Sequence, residues 1–369
     1  MKVRGPHPPR SRGAILSVFL VFALVLGLTY VSWNLVTAVL EPVSPPGQGH
    51  TVTIIVQENE TVQQLANDLQ AKGLIRNTLA FRFWAKIKGL DQHLQAGVYR
   101  NLNSSMNMSD IIDALMTGQP DEIAIRVPEG WRLEQIADKI EAAGLPRFSK
   151  QDFLTYTKNP AKFPDRNKFP FLKQLPSGAT MEGLLFPDTY FFTLGATTTD
   201  VIDRLLEEFQ AKVQQYHLDT QAAANHMSLY QMVILASIVE REAAFDSDRP
   251  LIASVYWNRV YRPNAETAGF LDADPTVQYA RDSQPGTKSY WAPLAASGSQ
   301  VLPDSPWNTY THKGWPPTPI CSPSLASLQA AASPAKTDYY FFLNRPDNGR
   351  AVFAKTQAEF DQEVQQYLK

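Results

Sequence analysis

Glu240 is the residue in this chain whose setting points most directly to chemistry. It lies in Ser228-Leu-Tyr-Gln-Met-Val-Ile-Leu-Ala-Ser-Ile-Val-Glu-Arg-Glu-Ala-Ala244. The spacing predicts a helix, with Ser228 as its cap and Gln231 at the capping-box position. At about 100° per residue, Leu229, Met232, Val233, Ala236, Val239, Ala243 and Ala244 share one face. Glu240 falls near the middle of that face, and Arg241 and Glu242 are expected to point into solvent. An unpaired carboxylate among apolar neighbours is costly when ionised, so it is expected to hold its proton near neutral pH. A general acid needs that property. The competing expectation is structural: Glu240 pairs with a distant arginine or caps a loop amide.

Further polar residues stand in short motifs. Glu182 opens Glu-Gly-Leu-Leu-Phe-Pro-Asp188, and Asn258-Arg259 lies in a stretch expected to be helical from near Pro250. Asp272 and Asp274 lie in Phe-Leu-Asp-Ala-Asp-Pro-Thr-Val277, and Asn308-Thr-Tyr310 sits in a proline-rich loop. Each has an ordinary use in bracing turns or pairing charges. The aromatics Tyr190, Trp307 and Trp315 offer sugar-stacking faces, although core packing is their commoner use.

The familiar catalytic signatures are absent. His7, His50, His93, His217, His226 and His312 form no His-Glu-x-x-His, and there is no Gly-x-Ser-x-Gly, phosphate loop or dinucleotide glycine pattern. Cys321 is the single cysteine, so no disulfide forms within the chain and no thiolate metal site exists. No metal or organic cofactor is expected. The net charge of −2 gives no basic field to attract nucleic acid. With 369 residues, 44% hydrophobic and 19% charged, the chain has material for two or three globular domains.

The elements that must position these residues are read in chain order. Residues 1–13 are basic, with Lys2, Arg4, Arg10 and Arg12. Residues 14–40 carry no charge, and about 20 apolar residues span a bilayer core. An uncleaved transmembrane helix is expected, with its N-terminus in the cytoplasm and the remainder outside. Residues 41–50 form a linker rich in proline and glycine. A strand at 51–56 and a helix at 60–72 ending in Gly73 come next. The same grammar returns 71 positions later: Val56, Gln64, Ala66, Ala71, Gly73 and Leu74 match Val127, Gln135, Ala137, Ala142, Gly144 and Leu145. Short helices are expected at 79–88 and 109–116, with a strand at 97–100. Residues 146–177 read as loop. Amphipathic helices follow at 199–216 and 357–368, another helix begins near Pro250, and 324–332 is a helix of small residues. Residues 339–343 and 351–355 read as a hairpin. The fold class is α+β, divided into a tail (1–13), transmembrane helix (14–40), linker (41–50), small strand–helix module (51–120), second strand–helix unit and connector (121–180), and a mixed α+β catalytic domain (181–369).

Ser237-Ile-Val-Glu-Arg-Glu242, Asn258-Arg259, Asp274-Pro-Thr-Val277, Asn308-Thr-Tyr310 and Pro334-Ala-Lys-Thr337, with Glu182-Gly183 and Phe186-Pro-Asp-Thr-Tyr190, resemble the motifs of the YceG-like family of endolytic murein transglycosylases. The chain departs from the pattern at Leu271-Asp272, where the family commonly has Leu-Gln, and in a longer segment at 261–269. The resemblance implies a membrane anchor, a LysM-like module at 51–120 and a lytic transglycosylase facing the wall of a bacterium from its plasma membrane. It implies that Glu240 is the essential acid and leaves Glu182, Asn258, Asp274, Asn308 and Tyr310 as candidate sugar contacts. It further implies peptidoglycan glycan strands as substrate, anhydro-muramyl ends as product, and work beside peptidoglycan synthases that sets strand length. A hydrolytic muramidase, with Glu182 or Asp274 as second carboxylate, and a wall-binding protein without catalysis are the alternatives.

Overall fold

A computed structural model describes residues 40–57, 60–117, 122–284, 286–287, 289–294 and 304–368. The tail at 1–13 and all but the last residue of the expected transmembrane helix lie outside them. The described residues are mixed α+β and form two compact units: those from 40 to 122 with 193–195, and those from 123 to 192 with those from 196 to 368.

In the first unit, β1 (Thr51–Val56) pairs antiparallel with β2 (Gly97–Asn103), Thr51 opposite Asn103 and Val56 opposite Gly97. Between them run α1 (Val62–Ala71), α2 (Thr78–Lys88) and the short α3 (Leu90–His93), and α4 (Met108–Thr117) follows. Ile54 and Val56 point inward on alternate positions and meet Leu65, Leu69, Phe81 and Ile112 in one core. The expected linker is fastened to this unit. Arg76 Nη2 donates to the Pro42 carbonyl at 2.7 Å, the Ser44 amide donates to the Ser104 carbonyl at 2.9 Å, and Leu40 packs against the core.

The second unit opens with β3 (Glu122–Arg126), which pairs with β4 (Thr189–Thr193); only the outer residues 122 and 193 of this pair are counted with the first unit. Between them come α5 (Leu133–Ala142), α6 (Lys150–Lys158) and three short 3₁₀ segments, so the stretch read as loop carries a helix. Ser149 caps α6 by accepting from the Asp152 amide, and Phe153 anchors it in the core. Then follow α7 (Thr198–Gln215), α8 (Leu218–Ala224), α9 (Leu229–Glu242), α10 (Arg249–Tyr261), α11 (Asp274–Asp282), α12 (Leu325–Ala332), the antiparallel hairpin β5 (Phe341–Asn344) and β6 (Ala351–Ala354), and α13 (Gln357–Tyr367). Residues 123–180 contribute Ile125, Leu133, Ile136 and Phe153 to the same core as 196–369.

The 71-residue repeat is visible in how the helices begin and end. Gln64 and Gln135 each accept from the backbone amide three residues before them, at Thr61 and Arg132. Gly73 and Gly144 each close their helix with positive φ, 71° and 76°. The two strands join different sheets.

The centre of the second unit is α9, capped by Ser228 with the expected capping box. It packs against α8, α10, α11 and α12. Every residue from Met232 to Val239 is buried, so α9 is not a half-exposed amphipathic helix. The periodicity marked the more apolar side but not the only buried one. Gly183 packs beside it with φ +77°, and a Cβ there would lie 2.7 Å from Pro319 Cβ and 2.8 Å from Val233 Cγ1.

Candidate active site

Two acids leave the C-terminal turn of α9. Residues two apart are about 200° apart around a helix, so Glu240 and Glu242 face opposite ways. Glu240 faces α12. Its Oε2 accepts from the Ser324 amide at 2.9 Å, the Ser324 hydroxyl at 2.6 Å and Arg249 Nη1 at 3.1 Å. Arg249 also reaches Ser327 Oγ and Asp246. The premise of an unpaired carboxylate at Glu240 therefore fails. Its three donors tie α9, α10 and the start of α12 together, which is the structural role weighed against catalysis from the sequence.

Glu242 faces a cavity of about 480 Å³. It does not point into open solvent. Tyr256 on α10 donates to Glu242 Oε1 at 3.0 Å, and Asn344 Nδ2 on β5 donates to the Glu242 carbonyl at 3.0 Å. Burial pushes the Glu242 carboxyl up to about 7, and the Asp274 carboxylate adds to this. The Tyr256 hydrogen bond and the Arg241 and Arg259 guanidinium groups act against the rise. A carboxyl held near that range has the property a general acid needs.

Across the cavity, Asp274 begins α11, and the exposed Tyr310 donates to its Oδ1 at 2.6 Å. Arg259 supports this wall, with Nη1 bonded to the Leu271 carbonyl at 2.7 Å and to Asp272 at 3.1 Å, and Nε to the Tyr340 carbonyl at 2.7 Å. Burial raises Asp272, and Arg259 opposes that rise. Phe341, Phe342 and Phe360 make the third side apolar. A half-buried acid, a hydroxyl–carboxylate pair and an aromatic wall around one space suit a neutral, hydroxyl-rich ligand. Among the described residues, no group of histidine, cysteine and carboxylate side chains is arranged to hold a metal ion.

Of the residues singled out from sequence, Asp274 and Tyr310 line this cavity. Asn258, Asn308 and Glu182 do not. Asn258 Nδ2 donates to the Thr337 and Tyr339 carbonyls at 3.1 and 2.9 Å and braces the strand leading into β5. Asn308 Oδ1 accepts from the Tyr310 amide at 3.1 Å, and its carbonyl accepts from the amides of Thr311 and His312. It shapes the turn that carries Tyr310. Trp307 donates to Thr318 and packs against Tyr279, and Tyr190 is buried.

Glu182 is fully buried at the start of α5, where it accepts from the Leu133 amide at 3.2 Å and the Tyr279 hydroxyl at 3.2 Å. Burial pushes its carboxyl up to about 8, and Glu134 adds to the rise. With the folded-state value raised, the associated stability is present in full below the unfolded value and is lost as pH rises through about 8. In Glu182→Gln, thermal melts should lose less stability between pH 5 and 8 than the parent does. Glu182→Ala leaves both donors unpaired and should cost about 2–3 kcal/mol. A melting curve matching the parent at every pH would contradict this account.

Tyr256 and Asn344 were not singled out from the sequence, and neither was the role of Glu242. The signal for Glu242 was present in Ser237-Ile-Val-Glu-Arg-Glu242, which holds both acids, preceded by an unbroken apolar run. The signal for Tyr256 was its place two residues before Asn258-Arg259.

The YceG-like family matches residues 54–366. An endolytic murein transglycosylase of Bacillus subtilis is 32% identical over 345 residues, covering 90% of this chain and 88% of that protein. The protein of the same name from Streptococcus pneumoniae is 30% identical over 375 residues, covering 96% of this chain. The chain spans 65% of that relative's length. A crystal structure of a YceG-like protein from Listeria monocytogenes superposes with a TM-score of 0.55 at 28% identity, over 86% of this chain and all of the other.

Proposed function

The chain belongs to the YceG-like family, and from that premise we propose that it is an endolytic lytic transglycosylase of peptidoglycan with Glu242 as its acid. One observation carries the reading: a carboxyl group raised to about 7 by burial, facing a cavity whose opposite wall offers Asp274 and Tyr310. In this reading Glu242 protonates the glycosidic oxygen between N-acetylmuramic acid and N-acetylglucosamine. The C–O bond breaks towards that oxygen as the muramyl C6 hydroxyl closes on its own anomeric carbon. The Glu242 carboxylate then takes the C6 proton, which restores the acid and leaves a 1,6-anhydro end. No water is consumed.

Most glycosidases use two carboxyl groups. Here the nucleophile is part of the substrate, and such intramolecular attack reaches effective molarities of roughly 10⁵ M or more. One carboxyl that gives and retakes a proton is enough, and a value near 7 suits both steps. Asp274 and Tyr310 hold sugar hydroxyls in this account. Residues 14–40 anchor the chain in the bacterial plasma membrane with the N-terminus in the cytoplasm. The 51–120 region serves as a LysM-like module, and cleavage beside the synthases ends nascent strands.

Digesting purified glycan and weighing the new ends tests the reaction. Anhydro ends support it. Ends one water heavier would favour a hydrolytic muramidase, for which Asp274, in the same cavity, is the second carboxylate. Release of no fragments would favour a binding protein. Activity should fall as pH rises above about 7, when Glu242 loses its proton. Tyr256→Phe removes a bond that favours the ionised form, so its alkaline limb should move up by about one pH unit. An unmoved limb would detach Glu242 from the titration.

A further inference from the structure

The exposed large apolar side chains are concentrated on α2. Leu79, Phe83 and Ile87 are 68%, 64% and 58% exposed and recur every four residues, so they form one stripe. Phe81 and Ala85, on the other side of the helix, are buried in the unit's core. The stripe is therefore surplus to packing. Arg82 and Lys86 are exposed beside it, and α2 contains no acidic residue. An apolar stripe on a helix whose own charges are all cationic fits the headgroup layer of an anionic membrane, where the rings and branches enter the acyl boundary and the long basic stems reach the phosphates.

The point at which the chain enters this unit favours the same partner. The charge-free run ends at Leu40, and Leu40 and Pro42 line one cavity of about 520 Å³ with Trp84 and Lys88 of α2. Arg76, two residues before α2, clamps the Pro42 carbonyl, and Ser44 is bonded to Ser104. No slack linker separates the apolar run from α2. A bilayer spanned by residues 14–40 would lie within a few residues' reach of the stripe. This step rests on the anchoring read for 14–40 in the proposed function.

We propose that α2 is an interfacial helix: Leu79, Phe83 and Ile87 lie in the outer boundary of the bilayer, and Arg82 and Lys86 lie against anionic headgroups. The first unit is thereby held against the membrane as well as tethered to it.

The test uses the full chain in vesicles containing anionic lipid. A polarity-sensitive fluorophore is placed on Phe83→Cys, and on Asn67→Cys, an exposed position of α1, as control. Cys321 is fully buried and does not compete for label. The expected result is blue-shifted emission at position 83, quenched by brominated acyl chains, with water-like emission at 67. Adding Leu79→Glu and Ile87→Glu should abolish the shift at 83 while flotation with vesicles persists. A chain that does not float overturns the anchoring reading and this proposal with it. A floating chain with position 83 in water overturns this proposal alone. Two further results also overturn it: a shift that appears only on adding glycan strands assigns the face to sugar, and one that grows with protein concentration in detergent assigns it to a second copy.

Discussion

Glu242→Gln is expected to lower kcat/KM on glycan strands by about 10³-fold while leaving the melting temperature near that of the parent. General acid–base groups contribute about 10² to 10⁴ in rate, and glutamine keeps the volume and an acceptor for Tyr256. Glu240 gives the opposite pattern. Its Oε2 joins Ser324 and Arg249 across α9, α10 and α12, so Glu240→Ala should cost about 3 kcal/mol, the scale for stranding one partner of a buried pair. Residual activity per folded molecule should stay within a few-fold. Parallel digestion and melting of the two variants separates the roles. An active Glu242→Gln with an inactive, well-folded Glu240→Ala would return the acid to Glu240.

Gly183→Ala should be the most damaging single-methyl change in the second unit. Two costs combine there. The backbone sits at φ +77°, which L residues rarely adopt, and the added carbon would come within 2.8 Å of both Pro319 and Val233. Pro319 is a rigid ring in a buried loop and Val233 lies on the central helix, so neither can swing aside. The expected loss is about 3–5 kcal/mol, a large part of the stability of a typical domain. Gly73→Ala is the control. Its φ is +71° but no atom lies within 4 Å, so only the backbone cost of about 1 kcal/mol applies. Equal melting temperatures for the two variants would show that the contact with Pro319 and Val233 relaxes.

Much of the architecture was legible because it is written locally. Ser228 with Gln231, Gly73 and Gly144 as terminators, and the hairpin strands before α13 follow from short-range chemistry. The helix over 150–158 was missed because its cap, Ser149, and its anchor, Phe153, sit amid prolines that read as loop. With Glu242 as the proposed acid, sequence periodicity came within two residues of it. Periodicity assigned Glu240 to the buried side and Glu242 to solvent, because it assumed that α9 has a solvent side. Met232 to Val239 are buried all round. In such a helix, which acid meets a cavity is decided by long-range partners: Ser324, 84 positions after Glu240, and Asn344, 102 positions after Glu242. No local pattern records them. For the same reason Asn258 and Asn308 read as ligand contacts, whereas the Asn258 amide nitrogen and the Asn308 amide oxygen both bond to backbone.

Glu242 is the final residue of the 14-residue α9. The aligned peptide dipoles place about half a negative elementary charge at that terminus. A carboxylate formed there meets like charge, so the helix itself resists ionisation. Water in an open groove screens this field, and a seated sugar chain displaces that water. The acid should therefore hold its proton more tightly in the bound complex than in the free protein. The alkaline limb of kcat, which reports the complex, should lie at higher pH than that of kcat/KM.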